Sequence, residues 1–313
     1  MTSAGAQAVP ARAPWRAGRH GRRVGFGPTL EAYTYLAPLL VVLVGLAAYP
    51  LVDGVYTSLT DRAVASPGRF IGLANFVKLL DDQDYRTAAV NSVLLTAGAV
   101  SIKLVIGLAG AVLLTQTFPL RGVVRALAFL PWAVPGLVAA LGWRWLLDDQ
   151  TGAVNALLLA SGLAERPVDW LSDPPIAKLS IAIATVWQGF PFFIMMFIAG
   201  ITTIPAELYE AAAIDGAGPW QCFRRVTLPS IADVIAITVM LSSIWTFNAF
   251  NTVFILTGGG PANRTQILPT LAYQYGMQQN QLGQGAAVIA SFLPVFLGII
   301  ALLTRRMLRD KVT

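Results

Sequence analysis

The sequence predicts an all-α, polytopic membrane protein. Three observations predict it. Only 12% of the 313 residues are charged, where a soluble domain carries roughly 25%, and mean hydropathy is +0.64. Six stretches, about 33–57, 88–116, 123–147, 177–201, 231–256 and 285–304, reach the ~20 apolar residues that a bilayer demands. Such runs must be helical, because hydrocarbon offers no partner to free backbone N–H and C=O groups. The third observation is charge asymmetry. Arg12, Arg16, Arg19, Arg22, Arg23, Arg121, Arg125, Arg224, Arg225, Arg305, Arg306, Arg309 and Lys311 fall on one side of the alternating spans. The other side has fewer basic residues and many acids, among them Asp61, Asp81, Asp82, Asp148, Asp149 and Asp173. The positive-inside bias places both termini in the cytoplasm.

Residues 1–28 are rich in Ala, Gly, Pro and Arg. They lack the apolar core and cleavage site of a signal peptide and are expected to form a disordered basic cytoplasmic tail, with the membrane domain at 29–313. The first outside loop holds Phe70–Asp82, whose apolar Phe76, Leu79 and Leu80 suggest a short interfacial helix. In the second span Lys103 interrupts an apolar run. It is read as structural, while Gly107 and Gly110 allow close helix approach. Pro131 and Pro135 should bend the third span, and Trp143-Arg144-Trp145 at its outer end has the pattern of an interfacial belt with a snorkelling arginine. The loop Asp148–Pro175 should carry a short helix near Val154–Ala160. Trp187, Phe190, Pro191 and Phe192 on the fourth span are read as packing residues.

Between the fourth and fifth spans lies a polar segment, 203–229. Pro205 opens a helix-forming run, Ala206–Ile214, which Asp215-Gly216 should stop. Pro219 opens a second short helix to about Thr227. The charge bias puts this helix–turn–helix in the cytoplasm. Ala211, Ala212 and Ala213 make the first helix thin enough to press into a groove on another protein, and Glu210 and Asp215 offer charges for pairing.

On the fifth span, Ser242, Trp245, Thr246 and Ala249 share one stripe by helical spacing, with Asn248 and Asn251 on adjacent faces. Hydroxyls beside an aromatic plate suit a sugar. The same polar residues could equally be hydrogen-bonding glue between helices.

Several functions are disfavoured. The basic residues form no nucleic-acid surface. A single cysteine, Cys222, and a single histidine, His20, support no disulfide, metal cluster or Cys/His catalytic pair. None of the four lysines follows a glycine, so there is no P-loop.

Glu210-Ala211-Ala212, Gly216 three residues later, and Val226-x-Leu228-Pro229 nine beyond that resemble the "EAA" signature of bacterial ABC importer permeases. The isoleucine of that pattern is Val226 here. FIGLANF at 70–76, IPAELYEAAAIDGA at 204–217 and LTGGGP at 256–261 resemble the carbohydrate-uptake, MalF-like and glycerol-phosphate-type branch. The resemblance implies a type I ABC importer permease fold. It implies that Glu210, Ala211, Ala212, Asp215, Gly216, Leu228 and Pro229 form a coupling element seated on a partner ATPase, which binds the ATP and Mg, so that this chain itself is no enzyme and holds no cofactor. It implies further partners: a second, MalG-like permease, two copies of the ATP-binding subunit, and a periplasmic or lipid-anchored binding protein at the bacterial plasma membrane. Ser242, Trp245, Thr246, Asn248, Ala249 and Asn251 become candidates for the path of a sugar or polyol, with glycerol 3-phosphate or a related phosphodiester as the alternative cargo. A different class, an ion-coupled secondary transporter, would also fit broken helices and a lysine at mid-span.

Overall fold

The computed structural model describes residues 27–295, 297 and 298, and the chain divides into two units at residues 52 and 53. The expected disordered tail at 1–28, all but its last two residues, lies outside the described residues. So do the end of the expected sixth span and Arg305–Lys311.

Helix α1 (Gly27–Leu43) passes through a π turn, Val44–Ala48, into α2 (Tyr49–Ser58). The turn has a local cause. The Pro50 ring would clash with the carbonyl four residues back, Leu46, and a wider turn there relieves the clash. The first span is the apolar helix Tyr33–Ser58, with its large apolar side chains exposed.

The short helix expected in the first loop is α3 (Ala74–Asp81). Next comes α4 (Gln83–Thr115), which begins ahead of the expected 88 because Asp82 caps it, accepting from the N–H groups of Asp84 and Tyr85. The third span is corrected by the structure. Instead of one bent helix over 123–147 there are two, α5 (Arg121–Ala133) and α6 (Gly136–Leu146), set at 96°. Pro135 forces the break, since the residue before a proline is pushed out of the helical region, and Val134 is extended at ψ 127°. Pro131 stays inside α5. Then follow α7 (Ala153–Ala160), close to its expected position, and α8 (Pro174–Thr202), capped by Asp173 with Pro174 in its first turn.

The polar segment forms α9 (Ala206–Ile214), with the expected ends, then α10 (Pro219–Cys222), a π turn at Phe223–Thr227 and α11 (Leu228–Ser230). The second helix therefore runs past Thr227. Pro229 repeats the relation seen at Pro50: the residue four back, Arg225, whose carbonyl a proline ring would crowd in a regular helix, lies inside the π turn. The fifth span is α12 (Ala232–Phe247) and α13 (Phe250–Thr257), interrupted at Asn248–Ala249. Last are α14 (Leu268–Tyr273), a π turn at Gln274–Gln278 and α15 (Leu282–Ala290). By length and hydropathy, four described helices can cross a membrane, or five if the bent pair counts as one span.

Helices α4 and α8 run parallel and pack along their length. A Cβ on Gly107 would overlap Phe193 Cβ, and one on Gly110 would stand 2.6 Å from Ile194 Cδ1. The expected close approach is present, and it makes the pair the axis of the second unit. Val100, Phe192, Phe193, Phe197 and Ile231 form the core beside it. In lipid this core is held by van der Waals fit rather than by expulsion of water.

One end of the axis is tied by polar contacts. Asn91 Nδ2 donates to the carbonyls of Arg264 and Gln266, Ser92 Oγ accepts from Leu268 N–H, and Asn263 donates to Asp84. The Tyr275 hydroxyl donates to Asp82, and burial together with that carboxylate raises the phenol pKa. At the same end Asp148 accepts from Thr151 and Gln150, which holds its carboxyl below the usual range. The other end carries 116–120 and the segment 203–231.

Candidate functional site

A cavity of about 450 Å³ lies beside α4 and α8, at the level where α5–α6 and α12–α13 break. Both breaks build it. The first turns Trp132, Ala133, Val134, Pro135 and Gly136 into its wall; the second supplies Ser242, Trp245, Thr246, Asn248, Ala249, Asn251 and Thr252. Helix α8 adds Thr185, Gln188, Gly189 and Phe192, and α4 adds Lys103.

All six residues singled out on the fifth span line this one cavity. The reason differs from the expected helical stripe. Ala249 is non-helical at φ −72°, ψ 44°, and the Asn248 side chain closes α12 by donating to the Ile244 carbonyl at 2.9 Å. The break gathers Asn248 and Asn251 with Ser242 and Thr246, which an unbroken helix would spread over more than one face.

The wall combines an aromatic plate with hydrogen-bonding groups. Trp245 is 54% exposed and borders the cavity. Its ring meets that of Phe192, ring centres 4.9 Å apart at 63°. Such edge contacts fix ring orientation. Ser242 and Thr246 are buried at the back of the wall. Phe192, expected only to pack, also faces the cavity, whereas Trp187 does pack, edge-on to Trp143 at 5.7 Å. Trp143 therefore turns inward, and Trp145 is the exposed member of the expected belt.

Lys103, read from the sequence as structural, is the one ionisable residue of the wall among the described residues. It is 3% exposed, and its Nζ donates to Thr246 Oγ1 at 2.9 Å. Gly189 keeps its place open: a Cβ there would be 2.6 Å from Lys103 Cε.

At the end bearing 203–231, the α9–α10 corner is built from backbone chemistry. Gly216 has φ +79° with nothing within 4 Å of a would-be Cβ, so conformation alone, not space, demands glycine. Ala217 N–H reaches Ala212 O at 2.9 Å and Gly216 N–H reaches Ala213 O at 3.0 Å, the paired bonds of a Schellman cap. The Gly218 N–H is met by Gln221 Oε1, and the Tyr209 hydroxyl bonds Thr227 Oγ1 at 2.9 Å, tying the two limbs. Glu210, Ala211, Asp215, Gly216 and Pro229 are exposed; Ala212 and Leu228 are half-buried, as is Val226. Ile214 at 87% and Trp220 at 70% exposure add an apolar rim to that surface.

Residues 103–313 match the family described as "Binding-protein-dependent transport system inner membrane component". The chain belongs to this family. It is 31% identical over 280 residues to the trehalose/maltose transport system permease protein MalF of Thermococcus litoralis, covering 89% of this chain and 94% of that protein. It is 32% identical over 300 residues to the diacetylchitobiose uptake system permease protein DasB of Streptomyces coelicolor, covering 94% and 92%. A chain in the crystal structure of a bacterial ABC transporter that imports alginate superposes with a TM-score of 0.78 at 22% identity, over 91% of this chain and 97% of that one. The permease thus has the type I ABC importer fold.

Within this permease, the sequence did not place Lys103, Gln188, Thr185 or Trp132 at the cavity. Lys103 carried a signal, a charge in an apolar run, and so did Gln188, a polar residue beside Gly189 at mid-helix. Trp132 carried none, because only the 96° break brings it to the cavity.

Proposed function

We propose that this chain is the permease subunit of an ATP-driven importer and that the cavity is the path of a sugar or polyol. The observation that carries the reading is the convergence of Ser242, Trp245, Thr246, Asn248, Ala249 and Asn251 on one chamber. An aromatic plate stacks on apolar sugar ring faces, and the surrounding amides and hydroxyls pair with sugar hydroxyls. The relatives named for maltose and diacetylchitobiose support the cargo class.

In this reading the chain crosses the bacterial plasma membrane six times, with both termini and the 203–229 loop in the cytoplasm. A second, MalG-like permease completes the path, and a binding protein delivers solute on the side of loops 58–87, 148–176 and 258–284. Two ATP-binding subunits hold ATP and Mg. Glu210 and Asp215 pair with their surface while Ala211 and Ala212 let α9 lie close. Gly216 sets the corner, and Leu228 and Pro229 join the loop to α12. Closure of the ATPase pair moves this loop, and the chamber alternates between outward and inward access.

Two measurements test it. With Cys222 changed to Ser, a cysteine placed at Asp215 should react with an impermeant thiol reagent only from the cytoplasmic face; labelling from outside overturns the topology. In liposomes, the assembled importer should take up maltose or diacetylchitobiose only with ATP. Accumulation by the purified chain alone under an ion gradient would instead mark a secondary transporter.

A further inference from the structure

Lys103 has no task in the proposed function, yet among the described residues it is the chamber's one charge. Its amino group carries three donors, and among the described residues it makes one hydrogen bond, to Thr246. No Asp or Glu lines the chamber, and none forms an ion pair with Lys103 among the described residues. A charge held at mid-span without a counter-ion is costly and is characteristic of substrate pathways. Gly189 faces the end of the lysine directly: a Cβ there would stand 2.6 Å from Lys103 Cε and 2.8 Å from Nζ, so the amino group would have to shift. An anchor between α4 and α12 would need only a neutral donor. What a lysine adds is a positive potential inside a chamber of amides and hydroxyls.

We propose that Lys103 is a specificity-determining residue of the translocation path. Its amino group donates to an oxygen of the passing solute, a hydroxyl, phosphate or carboxylate, and its charge excludes cationic solutes such as amino sugars. The inference rests on the cavity being the solute path. Selection of this kind works by repulsion as much as by attraction: a cation entering the chamber meets a like charge in low dielectric, where such pairs are weakly screened.

The test uses the complete assembly of permease pair and ATPase subunits, trapped with ATP and vanadate and without binding protein, so that the chamber alone selects. Radiolabelled maltose, diacetylchitobiose, its fully deacetylated diamine and glycerol 3-phosphate are the probes, read by scintillation proximity. The wild type should bind at least one neutral or anionic probe and exclude the diamine. Lys103→Met should weaken that probe about tenfold or more, the scale of one charge-assisted hydrogen bond, and should admit the diamine as well as its acetylated parent. Lys103→Gln keeps a donor without charge. It should hold the neutral probe to within about threefold, since hydrogen bonds to uncharged donors are the weaker kind, and should also admit the diamine.

Wild-type affinities and undiminished exclusion of the diamine in both variants overturn the proposal. So does a fall in thermal stability with the probe preferences unchanged, which marks an anchor. If Lys103→Met does not assemble, the Lys103→Gln ratio of diamine to parent decides alone. If the wild type binds none of the four probes, the cargo reading fails and this proposal falls with it. If the wild type binds one and neither variant changes, only the role of Lys103 fails.

Discussion

Gly189 and Gly216 would resist a side chain for opposite reasons. Gly189 has an ordinary helical backbone and no room: a Cβ would stand 2.6 Å from Lys103 Cε and 2.8 Å from its Nζ. Gly216 has open space and an unusual backbone, φ +79° with nothing within 4 Å. The first belongs to a chamber assembled from four separate stretches of chain. The second belongs to a corner assembled from its immediate neighbours. The difference teaches where specificity is written in this permease: in tertiary packing around the cavity and in local turn chemistry at the loop. The two regions should therefore fail differently when altered.

The largest effect is expected at Gly189→Leu. The new side chain must displace Lys103 or enter the chamber, and overpacking of this kind costs about 1–3 kcal/mol. Uptake should be abolished and thermal stability lowered together. Full uptake would mean that the cavity is not the path.

Glu210→Ala comes next. The side chain is exposed, so membrane levels should hold while uptake and solute-stimulated ATP hydrolysis both fall by about tenfold or more, equivalent to about 1.4 kcal/mol of lost coupling. Normal transport removes Glu210 from the coupling surface.

Trp245→Ala removes an exposed plate rather than a core residue. Uptake should fall by about tenfold through weaker solute binding, within the range of an aromatic contact, with the unfolding temperature nearly unchanged. A large loss of stability instead would make the Phe192–Trp245 pair a packing element.

At the loop, Gly216→Ala places a Cβ in the left-handed region, which costs roughly 1–2 kcal/mol. Gly216→Asn should cost less, because asparagine tolerates that region. Equal effects of the two substitutions would point to a steric rather than a conformational demand. The smallest effect is Tyr209→Phe, about 1 kcal/mol for the lost bond to Thr227, seen as faster amide exchange in α9 and α10.

The same contrast explains what could be read from the sequence. The ends of α9 follow from Pro205 and from Asp215-Gly216, because caps and turns are decided by neighbours. The apolar helices follow from length and hydropathy, and the close α4–α8 contact from Gly107 and Gly110. Pro131 and Pro135 announced a bend, but not that Pro135 alone would break the span, nor by how much. The stripe on the fifth span and the two asparagines beside it named residues that line the cavity, on an assumption of continuity that Asn248–Ala249 does not satisfy. Lys103 was legible as an anomaly and not as a wall residue, since its neighbours Thr246 and Gly189 are distant in sequence. Trp132 and Gln188 reach the cavity only through the packing of α5 and α8, which no local pattern encodes.

The proposed division between a coupling loop and a solute chamber is tested most directly by measuring uptake and ATP hydrolysis in parallel on the reconstituted importer, for Glu210→Ala and Trp245→Ala. The loop variant should lose both activities together. The chamber variant should retain ATP hydrolysis stimulated by the binding protein while losing uptake. Parallel loss of both activities in the two variants, or wild-type uptake by Trp245→Ala, would contradict the account.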